Sequence, residues 1–189
     1  MNPSFVFLQK FSDISEASFL KLQNISEVKS FKSKEILAPA GEIPKKLYLL
    51  FSGVMRAYVS LECGKEYNKR LYSPISFAGA LTAIIKNEPS EINYQALTDC
   101  KVFEVDFESF KKLCREDFGI GKLYVRVLEH VFIAYEERNL DLMILDASQL
   151  YSKLRKQIPN VDDLIPQYQI AAYLGITPVQ LSRIRKKLR

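Results

Sequence analysis

The spacing of apolar residues divides the chain into a helical start, a β-rich middle and a helical second half. Up to about Ser26, apolar residues recur at helical spacing, and Ser12 or Ser15 is placed to cap a helix. From Val28 to about Phe107, short apolar runs are separated by Gly, Pro and polar pairs. Runs at this spacing predict a barrel or sandwich of antiparallel strands. The predicted strands occupy 36–37, 46–51, 54–60, 66–72 and 94–105, with a helical turn within 82–86.

A long helix is predicted from about Phe118 to about Leu145, after a short helix over 108–114. Its apolar residues cover more than one narrow stripe, which predicts a helix that buries two sides, one of them on the barrel. At 1.5 Å per residue the helix would span about 42 Å, so a matching helix from a second copy is the natural cover for the other side. We expect Val127 to lie in that dimer seam.

The segment after the long helix begins with a second helix-start signal. Residues 146–149, Asp-Ala-Ser-Gln, provide a capping box and a hinge. The helix that they start is predicted to continue to about Gln157, and 159–164 are predicted to be a linker.

Residues 165–189 are typical of a helix-turn-helix. Gly175 falls where the first helix must end and the chain must turn sharply, which glycine permits because it tolerates a positive φ. Thr177, Pro178 and Gln180 then provide an N-cap, a proline at the first helical position and the partner of a capping box. The residues expected to close the core between the helices are Ile170, Leu174, Ile176, Leu181 and Ile184, and Ala171 is small enough to let the two backbones approach. The outer face of the second helix is then cationic, and a helix of this width fits the DNA major groove. The alternative interpretation is a helical hairpin that ends in a solvated basic tail.

The net charge of +5 is concentrated at the carboxyl end of the chain. From Tyr151 onward there are eight Lys or Arg and two Asp or Glu. Since the whole chain has 27 basic and 22 acidic residues, the preceding part carries 19 and 20 and is almost neutral. A positive surplus confined to the predicted helix-turn-helix is expected if only that part meets DNA phosphates.

This sequence lacks the residues that several other classes of protein require. Cys63, Cys100 and Cys114 are too far apart in sequence to form a metal-ligand or redox pair. We find no signal peptide and no apolar run near the roughly 18 residues of a membrane-spanning helix, so a reduced cytoplasmic compartment is expected. A metal-dependent barrel enzyme would need several histidines, but the sequence contains only His130. We therefore predict no catalytic residue, no metal site and no cofactor.

The order of barrel, long helix and helix-turn-helix resembles the Crp/Fnr family of bacterial transcription regulators. The most specific match is 170–178, Ile-Ala-Ala-Tyr-Leu-Gly-Ile-Thr-Pro, followed by 181–186, Leu-Ser-Arg-Ile-Arg-Lys. These stretches look like those of the Bacteroidetes branch of the family. Within the barrel, 47–58, 64–66 and 77–79 are similar to the family's cyclic-nucleotide-binding-type fold.

The resemblance implies an α+β fold with three parts. Residues 1–117 would form an antiparallel, jelly-roll β-barrel sensor domain, like a cyclic-nucleotide-binding domain. Residues 118–145 would form the dimerisation helix, and 146–189 a small helix-turn-helix domain. The sequence stops soon after the second helix, so we expect the β-wing of many relatives to be short or absent.

The barrel departs from cyclic-nucleotide-binding relatives at two positions. Those relatives carry a Gly-Glu pair, whose Glu accepts a hydrogen bond from the ribose, and further along an Arg that offsets the phosphate charge. Here Gly79 is followed by Ala80, and the Arg position falls near Ser90 and Glu91. We therefore expect no cyclic AMP binding and leave the effector unidentified. The cysteine cluster of the iron–sulfur branch is missing, and we interpret His130 as a packed or surface residue rather than a haem ligand.

The predicted DNA-reading helix also departs from well-known family members, which read bases with an Arg and a Glu near the helix start and a later Arg. Pro178 and Val179 stand at the first two positions and offer only apolar contact, for example to a thymine methyl. Arg183 matches the later Arg and is expected to read guanine through its bidentate fork. Gln180 either reads adenine or only caps the helix. The remaining predicted DNA contacts are Thr177 at the helix N-terminus, Ser182, and the phosphate-binding Arg185, Lys186, Lys187 and Arg189.

The sequence thus predicts a homodimeric regulator that binds double-stranded DNA, with no membrane partner. It leaves open whether the barrel binds an unknown small-molecule effector or nothing. The alternative is a sensor module that binds a ligand or a protein partner and has lost DNA binding.

Overall fold

The computed structural model describes residues 3–188, which adopt a mixed α+β fold. The strands are β1 (Ser26–Phe31), β2 (Ile36–Ala38), β3 (Lys46–Ser52), β4 (Met55–Ser60), β5 (Glu66–Tyr72), β6 (Ser76–Ala78), β7 (Asn93–Ala96) and β8 (Cys100–Asp106). They form two four-stranded antiparallel sheets, in the orders β1-β8-β3-β6 and β2-β7-β4-β5. The predicted antiparallel jelly-roll is therefore confirmed.

The helices surround this roll and continue beyond it. Their bounds are α1 (Pro3–Leu8), α2 (Glu16–Asn24), α3 (Leu81–Lys86), α4 (Phe107–Glu116), α5 (Phe118–Ile144), α6 (Ala147–Gln157), α7 (Val161–Leu164), α8 (Gln167–Leu174) and α9 (Pro178–Lys187). The long helix α5 begins at the predicted residue and ends one residue before the predicted end. The predicted linker over 159–164 is partly wrong, because Val161 is buried and starts the single helical turn α7.

The two sheets face each other and bury one apolar core between them. Its members are contributed by both sheets and include Tyr48, Leu50, Met55, Tyr72, Tyr94 and Val102. Two strands were missed by the pattern because β1 is a largely polar edge strand and β6 has only three residues. The single strand predicted over 94–105 is two strands, since the chain turns at 97–99 and the Val54 amide donates to the Thr98 hydroxyl there.

A second apolar cluster packs α1, α2, α4 and the first half of α5 together with residues of the first sheet. Phe5, Phe19, Phe110, Ile120 and Leu123 are among its buried members. Burying these side chains stabilises the contact, because each fully buried large apolar group contributes about 1.5–3 kcal/mol.

Asp117 fixes the start of α5 against α2. Its carboxylate accepts hydrogen bonds from the Ile120 amide, the Ser18 hydroxyl and, at 2.9 Å, the Lys21 ammonium. The Lys21 hydrogen bond is the largest of the contacts that lower the pKa of Asp117, which therefore stays ionised at neutral pH. The barrel side of α5 is thereby placed over the first sheet.

A third cluster joins the carboxyl-terminal helices to the roll. Val54 beside β4 and Leu71 on β5 are buried with side chains from α6, α7, α8 and α9. The α6 members include Tyr151 and Leu154, and the α8–α9 members include Ile170, Ala171, Leu174 and Leu181. The last two helices therefore share a core with the second sheet.

Gly53 provides a test of the tight turn between β3 and β4. Its φ is +90°, and a Cβ there would clash with the Asp99 carbonyl oxygen. We expect Gly53→Ala to destabilise the protein by about 2–5 kcal/mol, the sum of a left-handed backbone and a steric clash. Urea unfolding followed by circular dichroism measures this change.

Gly64→Ala is the matched control. Gly64 also has a positive φ, +77°, but a Cβ there would meet nothing within 4 Å. Only the backbone cost of about 1–2 kcal/mol is expected. Equal destabilisation by the two substitutions would show that the clash at Gly53 is relieved by movement of the 97–99 turn.

Candidate nucleic-acid interface and sensor cavity

The turn between α8 and α9 has the local geometry that its sequence predicts. Gly175 ends α8 with φ +71°, and its amide donates to the Ala171 carbonyl. Thr177 is the N-cap of α9: its hydroxyl accepts from the Gln180 amide, while the Gln180 side chain accepts from the Thr177 amide at 2.9 Å. The predicted capping box is present, so Gln180 is used at least in part to cap α9.

The predicted core between the two helices is also present. Ile170, Leu174 and Leu181 are buried, and Ile176 and Ile184 are partly buried against them. This packing holds one side of α9 inward and leaves its other side in solvent.

Most of the predicted DNA-contacting residues share the solvent side of α9 and its start. The exposed members are Thr177, Pro178, Val179, Gln180, Ser182, Arg183, Lys186 and Lys187. Arg183, Lys186 and Lys187 form no ion pair with a carboxylate within residues 3–188. Arg189 lies outside the described residues.

Arg185 is placed differently from the other basic residues of α9. It is half-buried, and its Nε lies 3.5 Å from Oδ1 of Asp162 on α7. Asp162 also accepts a 2.6 Å hydrogen bond from the Tyr151 hydroxyl of α6. Burial and this acceptor raise the pKa of Tyr151 to about 12. Arg185 therefore has an internal ion-pair partner, which would compete with a phosphate contact.

A buried polar network joins α8 to the second sheet, and the sequence analysis did not predict it. Arg56 on β4 and Gln169 on α8 are only 4% and 3% exposed. The Arg56 guanidinium donates to Gln169 Oε1 at 2.9 Å and to Glu66 at 2.6 Å. Asn68 on β5 donates to both the backbone and the side-chain oxygen of Gln169 at 2.8 Å, and Gln95 accepts from Arg56 Nε. Because these groups satisfy one another out of water, the position of α8 on the sheet is specific.

Two further contacts connect the last helices to the second half of α5. Arg138 donates to the Tyr173 carbonyl at 2.9 Å, and its guanidinium lies 4.1 Å from the centre of the Tyr173 ring. Lys153 on α6 forms a 2.6 Å ion pair with Asp141. The orientation of α8 and α9 is thus tied to both the roll and the long helix.

The outward face of α5 carries an apolar stripe that nothing in residues 3–188 covers. Its exposed members are Val125, Phe132, Ile133, Leu140, Met143 and Ile144, with Phe132 67% and Met143 83% exposed. Val127, which is predicted to lie in the dimer seam, does not share this face, because it is partly buried in the cluster beneath α5. Val127 is two residues after the exposed Val125 and points to another side of the helix, because successive residues are rotated by about 100°.

A cavity of about 700 Å³ lies between the barrel side of α5 and the roll. Gly79, Ala80, Ser90 and Glu91, the positions where cyclic-nucleotide-binding relatives carry their phosphate-binding residues, line part of it. Gly79 has φ +145°, and its carbonyl accepts a 2.7 Å hydrogen bond from the buried Tyr94 hydroxyl. The Ser90 hydroxyl is engaged within its own turn, with the backbone of Ile92.

Residues 3–188 contain neither a cluster of metal ligands nor a membrane-spanning helix. No group of three or more His, Cys, Asp or Glu there is placed to hold a metal ion. In the same residues, no helix has the length and apolar character needed to cross a membrane. His130 is exposed, and its ring centre lies 5.2 Å from that of Phe11.

Comparison with known proteins shows what residues 28–117 and the overall fold are similar to. Residues 28–117 match the family model of the cyclic nucleotide-binding domain. The c-di-GMP responsive global regulator CLP of Xanthomonas campestris has a similar structure, with a TM-score of 0.70 and 14% identity over 92% of this chain and 91% of that one. A Eubacterium rectale protein assigned to the Crp/Fnr family of transcriptional regulators has a TM-score of 0.69 and 14% identity, over 93% of this chain and 83% of that one. The fold is that of Crp/Fnr-type regulators. Identities this low extend the likeness to the fold alone.

One curated relative has higher identity over a shorter segment. An uncharacterized protein of Haemophilus influenzae is 40% identical over 58 residues, which are 31% of this chain and 45% of that protein. The match therefore spans less than half of the relative's length.

The buried network predicts that Gln169 holds α8 on the roll. In Gln169→Leu, Arg56 and Asn68 lose their shared acceptor, which we expect to cost about 1–3 kcal/mol of stability. Urea unfolding measures this loss of stability. Hydrogen exchange of the α8 amides should become faster in the variant.

Gln167→Leu is the control, because Gln167 is exposed on the same helix and makes no side-chain hydrogen bond among the described residues. Unchanged exchange in Gln169→Leu would mean that the apolar contacts alone position α8.

Proposed function

We propose that this protein is a sequence-specific, DNA-binding transcription regulator that acts as a homodimer. The observation that carries the proposal is the face of α9, where Arg183, Lys186 and Lys187 are exposed beside a capped helix N-terminus and have no ion-pair partner within residues 3–188. An α-helix that presents free cations in this way suits the major groove, where Arg reads guanine and Lys contacts phosphates. In this proposal 1–117 form the sensor domain, 118–145 the dimerisation helix and 146–189 the helix-turn-helix domain.

The proposal assigns different roles to the residues of α9. Arg183 reads a base, Pro178 and Val179 offer apolar contact, and Lys186 and Lys187 bind phosphates. Thr177, at the start of α9, and Ser182 contact the DNA backbone. Gln180 and Arg185 have smaller roles than the sequence alone indicates, because one caps α9 and the other faces Asp162.

Dimerisation is supported by the apolar stripe on α5. A row from Val125 to Ile144 on one helix face spans about 28 Å and would be costly to leave in water. A second copy related by a twofold axis would cover it and present two α9 helices to half-sites about 34 Å apart.

Coupling between sensor and DNA requires two arrangements that differ by only a few kcal/mol. Helix α5 is suited to transmit this coupling, because its barrel side lines the cavity while Arg138 contacts α8 and Asp141 contacts α6. Ala80 and Glu91 at the phosphate-binding positions favour an effector other than cyclic AMP.

Two substitutions in α9 should separate base reading from phosphate binding. Arg183→Ala should lose about 1–3 kcal/mol of discrimination at one base pair. Lys186→Ala should weaken binding to all sequences alike and reduce the salt dependence by about one phosphate. The measurement is a gel-shift titration at several salt concentrations, on DNA chosen by selection from a random pool.

Lys10→Ala is the control, since Lys10 is an exposed lysine outside α9. If neither α9 substitution changes binding, α9 does not enter the groove. If the unchanged protein ignores every duplex at low salt, the chain is a sensor module that binds a ligand or partner instead.

A single charge in the α5 stripe should test the dimer seam. Phe132→Glu would bury a carboxylate in the proposed interface, and we expect the dimer dissociation constant to rise at least 100-fold, for a cost of about 3 kcal/mol. Sedimentation velocity over a range of concentrations measures it.

Ile85→Glu, on α3, also replaces an exposed large apolar residue and should leave the dimer intact. A Phe132→Glu protein that sediments as the unchanged dimer would remove this stripe from the seam.

A further inference from the structure

The cavity is long and follows α5. Its lining includes α5 residues from Leu123 to Tyr135, which at 1.5 Å per residue extend over about 18 Å. Its volume of about 700 Å³ falls within the range of small-molecule sites. A compact ligand would leave much of this length unfilled, so the shape favours an elongated one.

The end of the cavity near Leu123 is largely apolar, with Gln23 and Ser26 as polar lining residues from α2 and the start of β1. Phe19 and Leu22 on α2 and Phe110 on α4 line it, and all of them belong to the apolar cluster beneath α5. Ligand surface buried here would gain about 25 cal/mol per Å² from the hydrophobic effect. A polar or charged ligand end would find no charged lining residue on α2 or α4 within the described part of the chain.

The end near Tyr135 is cationic. Lys69 and Arg70 on β5 line the cavity there, with Lys69 Nζ 5.1 Å and Arg70 Cζ 5.3 Å from the centre of the Tyr135 ring. Neither side chain forms an ion pair with a carboxylate in residues 3–188, and Arg70 is half-buried. Two unneutralised cations at one end of an apolar cavity are electrostatically complementary to an anion.

The acidic lining residues do not cancel this charge. Glu88 lies 3.9 Å from Lys86, which neutralises it, and both are exposed on α3 and the segment after it. Glu91 is exposed on the same segment, outside β5 and α5. Glu137 and Asp141 line an adjoining pocket with Lys69 and Arg70, but within residues 3–188 neither acid forms an ion pair with them, and Asp141 is paired with Lys153. Lys69 and Arg70 therefore remain a net positive pair.

The middle of the cavity offers few free donors to a sugar phosphate. The Tyr94 hydroxyl, whose pKa is raised by burial, donates a hydrogen bond to the Gly79 carbonyl, and the Ser90 hydroxyl is hydrogen-bonded within its own turn. Ala80 offers no polar side chain. This lining suits a hydrocarbon body better than a ribose ring.

We propose that the cavity binds an elongated amphipathic monoanion, a long-chain carboxylate in chemical class. Its hydrocarbon chain lies along α5 toward Leu123, and its carboxylate lies against Lys69 and Arg70 beside Tyr135. The binding step stands on the cavity itself, whereas its effect on DNA rests on the proposed function.

The test compares probes that differ only in the head group. Isothermal titration calorimetry of the full chain should show binding of decanoate and dodecanoate, weaker binding of 1-decanol by roughly 10-fold or more, and no competition by cyclic AMP. DNA affinity is then measured with and without dodecanoate. Carboxylate binding without any DNA binding would sink the proposed function and leave the cavity assignment intact.

Variants locate the two ends of the ligand. Arg70→Met should weaken dodecanoate roughly 10-fold or more and leave 1-decanol unchanged, whereas Lys65→Met, an exposed lysine outside the cavity, should change neither. Val131→Phe should weaken both probes by narrowing the middle of the cavity. Lys69→Met is the second head-group variant should Arg70→Met fail to fold, as judged by circular dichroism.

The outcomes divide clearly. Equal affinity for decanoate and 1-decanol, or unchanged affinity in both head-group variants, overturns the assignment of the cationic end. Displacement of dodecanoate by cyclic AMP, or no binding of any probe, overturns the ligand class.

Discussion

The shared core between the second sheet and the carboxyl-terminal helices constrains everything else in this molecule. Val54 and Leu71 cannot be buried unless α6, α8 and α9 lie against β4 and β5. At the edge of that core, the Arg56 charge is out of water and is compensated by Glu66, Gln169 and neighbouring amides. Removing one partner from such a network is costly, because the remaining buried charge is left unpaired. The network therefore makes one orientation of α8 much more favourable than its alternatives.

Helix α5 has two apolar faces, one packed on the barrel and one exposed to solvent. Ile120 and Leu123 are buried on the barrel side, while Phe132 and Met143 on the outer side are among the most exposed apolar residues of the described chain. A helix apolar on both sides is stable in water only when both are covered. The outer stripe thus connects the proposed dimer seam to the cavity that lies on the opposite side of the same helix.

The cavity illustrates why a shared fold does not determine a ligand. The roll, the turn at Gly79 and the segment before β7 follow the cyclic nucleotide-binding domain. Ala80 and Glu91 line the cavity at the positions that the sequence resemblance aligns with the residues that hold a sugar phosphate. Function lies in such side chains, which is why the scaffold alone leaves the effector open.

The local elements could be predicted from sequence because their causes are local. Gly175 and the Thr177–Gln180 capping box act over a few residues, so the turn and the start of α9 were predicted with their hydrogen bonds. The strand over 66–72 and the length of α5 were also predicted, because the spacing of apolar residues follows directly from backbone geometry. The free cations of α9 were visible as a charge surplus.

Only the tertiary structure decided which partners these elements meet. Gln169 gave no local signal, since its partners Arg56 and Asn68 are about a hundred residues away. Arg185 looked like its neighbours until the fold placed Asp162 against it, and Val127 and Val125 were interchangeable until one side of α5 met the roll. Long-range partners depend on how the elements pack, and a periodic pattern on one helix does not contain that information.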